Sequence, residues 1–331
     1  MKPLFIHKRP RRQSGFNLIE LMISMLLGLL VVGAAIGIFI SNRQTYSATE
    51  GLSRIQETAR TGFEMMAQDI REAGGNQCDS GLPVVNVLKN PTSLWWTNWA
   101  MPLSGYENRG PADLKLTPPI RLADNTDVIQ MLSAGTGGAT VTAHDPVTMT
   151  LTLNAAAPDL HSYAIMLLCD RQQLAVLQVG LVASTAVSYA GAPLNACNQL
   201  GRLPSVCATG VNNYTFEMNS ILSELRAVRW YVATASSKVG TSLYQQVIGP
   251  GGASANNEIA EGVTDLQFTY LVSGATAYVD AGVVSNANNW ANVIAVRIVM
   301  TVNSNDPVAA GQPPAVSRTF STTVSIRNRN P

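Results

Sequence analysis

Residues 21–40 form an uninterrupted apolar run without a single charge. As a helix, about 20 residues at ~1.5 Å each span about 30 Å, the thickness of a bilayer's hydrocarbon core. The helical pattern does not stop there. Leu52, Ile55, Ala59, Phe63, Met66, Ile70 and Ala73 recur at steps of three and four, which is one amphipathic face. Arg54, Glu57, Arg60, Glu64, Asp69 and Arg71 read as the opposite, solvated face, and Gly74-Gly75 as a C-terminal stop. The pattern predicts one helix over 16–74, with a membrane span at about 18–40 and a length on the order of 85 Å. Gly28, Gly33, Gly37, Gly51 and Gly62 weaken a lone helix but allow bends or close helix packing. The second half needs a globular domain to cover its apolar face.

Beyond residue 75 the helical period disappears and short strand-like runs replace it, at 127–132, 148–153, 163–169, 174–179, 182–188, 214–218, 225–233, 243–247, 264–272, 292–302 and 319–326. Asp170-Arg171-Gln172-Gln173 reads as a hairpin turn between two of them. Gly135-Thr136-Gly137-Gly138 and Gly249-Pro250-Gly251-Gly252 read as loops. The expectation is an α+β chain in which a long N-terminal helix packs on an antiparallel β-rich domain over 75–331. That domain has room for two sheets, with a subdomain break near 190–212.

Charge changes the picture at the amino terminus. Five of the 22 basic residues (Lys2, Lys8, Arg9, Arg11 and Arg12) precede residue 16, leaving 17 against 21 acidic residues in the rest. Basic residues ahead of the apolar run stay cytoplasmic, which places the remainder outside. A weakly acidic body argues against a nucleic-acid partner. Four cysteines, Cys78, Cys169, Cys197 and Cys207, all lie on the exported side. An even number there favours two disulfides over a metal site, the alternative being buried thiols. Cys197 and Cys207 close a short loop, which leaves Cys78 for Cys169.

The apolar run ends without a small-x-small cleavage site, so the anchor is kept. Glu20 stands at its mouth: either the carboxylate sits at the cytoplasmic interface, where it costs little, or it is in lipid and paired. Gly15-Phe16-Asn17-Leu18-Ile19-Glu20, after a short basic leader, resembles the signal of type IV pilins. Asn17 departs from the usual Thr or Ser. The resemblance implies that a membrane prepilin peptidase removes 1–15, that Phe16 becomes the methylated first residue, and that its amine neutralises Glu20 of a neighbouring subunit.

Two later segments, 261–270 followed by 292–298, and the C-terminal 322–329, are similar to the PilW family of minor pilins. That resemblance implies a structural protein rather than an enzyme, with no cofactor. It implies a role in initiating pilus assembly at the tip, with other minor pilins, the major pilin and a tip adhesin as partners. It also implies an inner-membrane anchor with the domain in the periplasm and later on the cell surface. A minor pseudopilin of a type II secretion system shares the signal, helix and β-rich domain, and is the alternative.

Other candidate chemistry is thin. His144-Asp145-Pro146 reads as a turn rather than an acid/base pair, and Asp124-Asn125-Thr126-Asp127 as a turn lacking the glycine and late glutamate of a calcium loop. Trp95-Trp96-Thr97-Asn98-Trp99 is either a sugar- or partner-contacting patch or an apolar anchor for a long loop, with packing preferred. Arg318, Arg327 and Arg329 read as a solvated face.

Overall fold

In the computed structural model one helix, α1 (Leu18–Glu72), enters a β-rich domain through its second half. The structure describes residues 15, 17–79, 81–197, 200–201, 207, 214–237, 239–304 and 316–329. From residue 55 onward α1 buries Ile55, Ala59, Gly62, Met66, Ala67 and Ile70, the periodic apolar face. It ends where Ala73 N–H donates to Ile70 O, and Gly74 takes a positive φ of 72°. The departing chain is stitched to the domain at once, with Gly74 N–H on Leu132 O and Ala134 N–H on Gly75 O, both at 2.8 Å.

The first sheet holds eleven strands: β1 (Val84–Asn86), β2 (Leu103–Tyr106), β3 (Val128–Asp145), β4 (Thr150–Leu153), β5 (Ile165–Cys169), β6 (Leu174–Gln178), β7 (Val182–Ala183), β8 (Ala186–Ser188), β9 (Ser220–Thr234), β10 (Thr241–Ile248) and β11 (Ser254–Glu261). β3 and β9 are its long central pair. β9 takes β5 as its other neighbour at one end and β10 at the other. Every pairing is antiparallel except β1 on β6. A second sheet follows in sequence, with β12 (Val263–Val272), β13 (Val279–Asp280), β14 (Val293–Asn303) and β15 (Ser317–Ser325) in the order β13-β12-β14-β15. A short helix, α2 (Ala281–Asn286), joins β13 towards β14.

The helix and both sheets share one core, in which Met66 and Ile70 meet Trp230, Phe268 and Met300. A separate core at the far end of β3 and β9 packs Val141, Met166, Leu177, Tyr189 and Leu222. Asp127 ties the sheets together: its N–H donates to Leu266 O, and its carboxylate accepts from the N–H groups of Phe268 and Asn108. Burial pushes this carboxyl above its usual range, with Glu107 and Asp280 adding to the effect. Asp127 is thus a bracket between sheets.

Several expectations need correcting. Gly135-Thr136-Gly137-Gly138 is not a loop, because β3 runs through it with a register shift against β9 between Ala134 and Gly138. A Cβ on Gly135 would stand 3.0 Å from the carbonyl oxygen of Glu224, so glycine permits the close pass. Residues 182–188 are two strands, turning at Ser184 with φ 53°. Residues 214–218 alternate buried and exposed yet join no sheet. Their polar groups go to side chains instead: Phe216 N–H donates to His144 Nδ1 at 3.0 Å, and the Tyr214 hydroxyl to Asp170 at 2.5 Å. β1, β2, β11 and β13 have no counterpart among the expected strands. Arg329 is not on a solvated face either, since its guanidinium is half-buried and donates to the carbonyls of Trp290 and Val293. The Asp170 turn does join β5 to β6, with its carboxylate accepting from the N–H groups of Gln172 and Gln173.

His144 is committed by that bond from Phe216. The neutral ring carries its proton on Nε2 and donates to the Tyr189 hydroxyl at 2.8 Å. Burial lowers its pKa to about 4, only weakly opposed by Asp145. A histidine held below its unfolded value near 6.5 favours the fold above that value, and the advantage is lost as pH falls towards 4. The pairing of exposed His161 with Glu224 has the opposite sign and is screened by solvent. Urea unfolding at pH 7 and pH 4.5 therefore shows a smaller loss on acidification in His144→Gln than in the wild type. An equal loss in both would remove His144 as the cause.

Candidate functional site

The part of α1 that stands clear of the domain is the first element of the site. Its most apolar stretch has none of its residues buried, and Leu18, Met25, Leu29, Val31 and Phe39 are all exposed. A fully apolar helix surface is stable only in lipid or against similar helices. Asn17 opens the helix through its carbonyl, which accepts from the N–H groups of Glu20 and Leu21. Glu20 lies in the first turn, exposed on the surface of the lone chain. Gly15 is exposed just ahead, and Phe16 falls outside the described residues.

The second element is the attachment of α1 to the sheet, where an expected surface residue turns inward. Asp69 is 5% exposed, not on the solvated face. Its spacing explains this: it lies three residues after Met66 and four before Ala73, within the apolar stripe. One carboxylate oxygen accepts from Arg226 Nη2 at 2.8 Å. The other accepts from Trp230 Nε1 at 2.8 Å and Gln245 Nε2 at 2.9 Å. Arg226 and Trp230 lie on β9 and Gln245 on β10, so one carboxylate pins the helix to two strands. On the outer face, Arg54 pairs with Glu50 and Arg60 with Glu64, each one turn apart and solvated.

Two disulfides complete the frame. Cys78, just past the helix, joins Cys169 at the end of β5, while Cys197 joins Cys207. The first closes a long chain loop, the kind of cross-link that most restricts the unfolded chain. The tryptophan cluster divides by role. Trp99 is buried beside Leu88 and Leu132, and Trp96 is half-buried against Gly252. Trp95 lies over the guanidinium of Arg229, with 4.4 Å between Arg229 Cζ and the ring centroid. Among the described residues no group of three or more His, Cys, Asp or Glu side chains is placed to hold a metal ion.

A family model described as type IV pilus-assembly protein W matches residues 229–328, from the middle of β9 through the whole second sheet. The prokaryotic N-terminal methylation motif matches residues 10–36, the basic leader and the start of α1. No curated protein and no solved structure matches the chain. The methylation motif and the apolar helix support an inner-membrane anchor and association with the pilus. The assembly-protein domain points to a structural rather than an enzymatic protein. Built as an anchor helix carrying a two-sheet β-domain, the chain is similar to type IV pilus-assembly protein W over its last third and carries the pilin methylation motif at its start, which supports a type IV pilin-like role in pilus assembly.

Proposed function

We propose that this chain helps to initiate type IV pilus assembly and resides at the filament tip, together with other minor pilins and a tip adhesin. The observation that carries the reading is the pairing of an unburied apolar half-helix with a large domain docked on its second half. Such a subunit enters a helical bundle through its anchor, while its bulk crowds any position repeated along a slim fibre. In this reading the leader is cut after Gly15 by the prepilin peptidase, and the domain faces the periplasm before export. Cys78–Cys169 and Cys197–Cys207 then hold the domain in an oxidising compartment.

Cleavage leaves a positive amine on Phe16 one turn from Glu20. A pair between that amine and Glu20 of a neighbour, at low dielectric, rewards one axial register and penalises others. Glu20→Ala is expected to be processed normally but to enter sheared filaments at least several-fold less than the wild type, read by immunoblot of the pilus fraction. Equal incorporation would end the pairing idea.

The function itself is tested by the amount of shearable pili in a strain lacking this gene, with and without the retraction motor. Pili that vanish in the deletion and return when retraction is also removed support an initiating role. Pili unchanged in both backgrounds reject that role and favour the secretion pseudopilin.

A further inference from the structure

Close to the end of α1, a cleft of about 480 Å³ opens between β2 and β3 of the first sheet, the loop around Trp95, and the segment from α2 to Trp290 that leads into the second sheet. Gly74, just past the end of the helix, approaches both Pro102 and Arg329, and Arg329 in turn donates to the carbonyl of Trp290, a cleft-lining residue. The cleft therefore lies close to the C-terminal end of α1, away from the anchor. Its volume falls in the roughly 300–1,000 Å³ range of small-ligand sites.

Its chemistry is selective. Three aromatic side chains, Trp95, Tyr106 and Trp290, line it together with hydroxyl and amide groups such as Ser93, Asn98 and Asn288. The one ionised residue in its wall, Asp113, is already paired with Arg229 Nη2 at 3.0 Å. Arg229 itself is 1% exposed, and each of its nitrogens also donates within the protein: Nε and Nη2 to Gln130 Oε1, and Nη1 to Gln246 Oε1. Neither an anion nor a cation finds an unpaired opposite charge here. Only Met101, Pro111 and Ala112 add aliphatic surface, which is too little for a lipid chain.

The wall is also preorganised. Buried Gln130 donates to the hydroxyl of buried Ser104 at 2.7 Å and receives Arg229, while Arg229 holds the Trp95 ring from one side. Rigid aromatic faces beside neutral donors and acceptors match one ligand class well. A pyranose presents an apolar face of C–H bonds and a rim of hydroxyls, so the rings cover the first and the amides and hydroxyls bond the second. We infer that this cleft binds a neutral oligosaccharide, contacted by the half-buried rings of Trp95 and Tyr106 and by Asn98 and Asn288 through hydrogen bonds, with buried Trp290 forming its floor.

The test uses the full processed chain in a detergent without a sugar headgroup, titrated with chitotriose and, separately, with lactose. Tryptophan fluorescence and saturation-transfer NMR read the binding. The expected result is saturable binding of at least one sugar, weakened at least tenfold in Ala112→Trp, which fills the exposed rim of the cleft, and in Asn98→Ala. Near-UV circular dichroism of both variants shows whether the fold is kept. Binding of chitotriose alone assigns the site to bacterial wall glycan, and binding of lactose assigns it to the surface glycans of other cells. Absence of saturable binding of either sugar up to about 10 mM overturns the inference. Binding undiminished in Ala112→Trp, or capture of another pilin without sugar binding, overturns it equally.

Discussion

Asp69→Ala is expected to cost the domain about 3–5 kcal/mol, because it removes the acceptor of three donors at once inside the core. Trp230 Nε1 and Gln245 Nε2 lose their partner where water does not reach, and Arg226 loses its counter-charge. For a domain of this size the thermal midpoint falls by roughly 6–20 °C. Graded variants separate the contributions. Arg226 is about one-third exposed and can turn its charge to solvent. Arg226→Ala therefore loses less, about 1.5–3 kcal/mol, the range for a hydrogen bond to a charged group. Asp69→Asn keeps one oxygen for Trp230 and Gln245 and falls between the wild type and Asp69→Ala. The measurement is thermal unfolding of the full chain in detergent, followed by near-UV circular dichroism, with tryptophan fluorescence reporting the Trp230 environment. A midpoint within about 2 °C of the wild type for Asp69→Ala would show that apolar packing alone docks the helix. The expected loss has a functional consequence. The anchor and the domain communicate only through the second half of α1, so a loosened seam lets a correctly inserted anchor carry a misdirected domain. Fewer surface pili should follow even where the protein is made and processed.

The helix was legible because its signals are local: an uncharged apolar run, a three–four stripe, and a glycine at the stop. β12 and β14 were legible too, since both alternate buried and partly exposed positions along their length. What escaped was decided at long range. β11 reads Ser-Ala-Asn-Asn-Glu-Ile-Ala-Glu, and on composition alone it is a loop. It is a strand because β10 supplies a ladder on one side, and its polar side chains remain exposed. β3 crosses a glycine-rich stretch because β9 presents a matching partner some 90 positions later. Asp69 was misplaced for a subtler reason. Its spacing put it on the buried stripe, but its charge argued for solvent, and only Arg226, Trp230 and Gln245 reverse that argument. The cleft follows the same rule. Trp95 drew attention as part of a local cluster, whereas Trp290 and Arg229 arrive from the far side of the sequence and carry no mark of their destination.

Gly105→Ala is the second large effect, and it tests how the two sheets meet. Gly105 lies on β2, opposite Ile129 of β3. A Cβ there would overlap the Tyr270 hydroxyl and stand 2.8 Å from Tyr270 Cζ and 3.2 Å from Trp290 Cη2. Tyr270 is fully buried on β12 and packs edge-on against Trp290 at 4.8 Å between centroids, so neither ring can swing away. Overpacking costs about 1–3 kcal/mol where the core gives way. With two aromatic rings locked against one methyl group, the expected loss is at the top of that range, about 3 kcal/mol. The Tyr270 hydroxyl has no hydrogen-bond partner among the described residues. Tyr270→Phe thus removes a buried polar group that gains nothing, and should lie within about 1 kcal/mol of the wild type or slightly above it. It also removes the atom that the new methyl group would meet first. The double variant should recover part of the loss, but not all, because the ring carbon beneath the hydroxyl is still too close. A coupling of about 1–2 kcal/mol in a double-mutant cycle, read from urea unfolding, is the expected signature of direct contact. Additive losses would mean that Gly105 is required for its backbone alone. Recovery in the double variant would instead identify Gly105 as the point where the first sheet makes room for Tyr270 of the second.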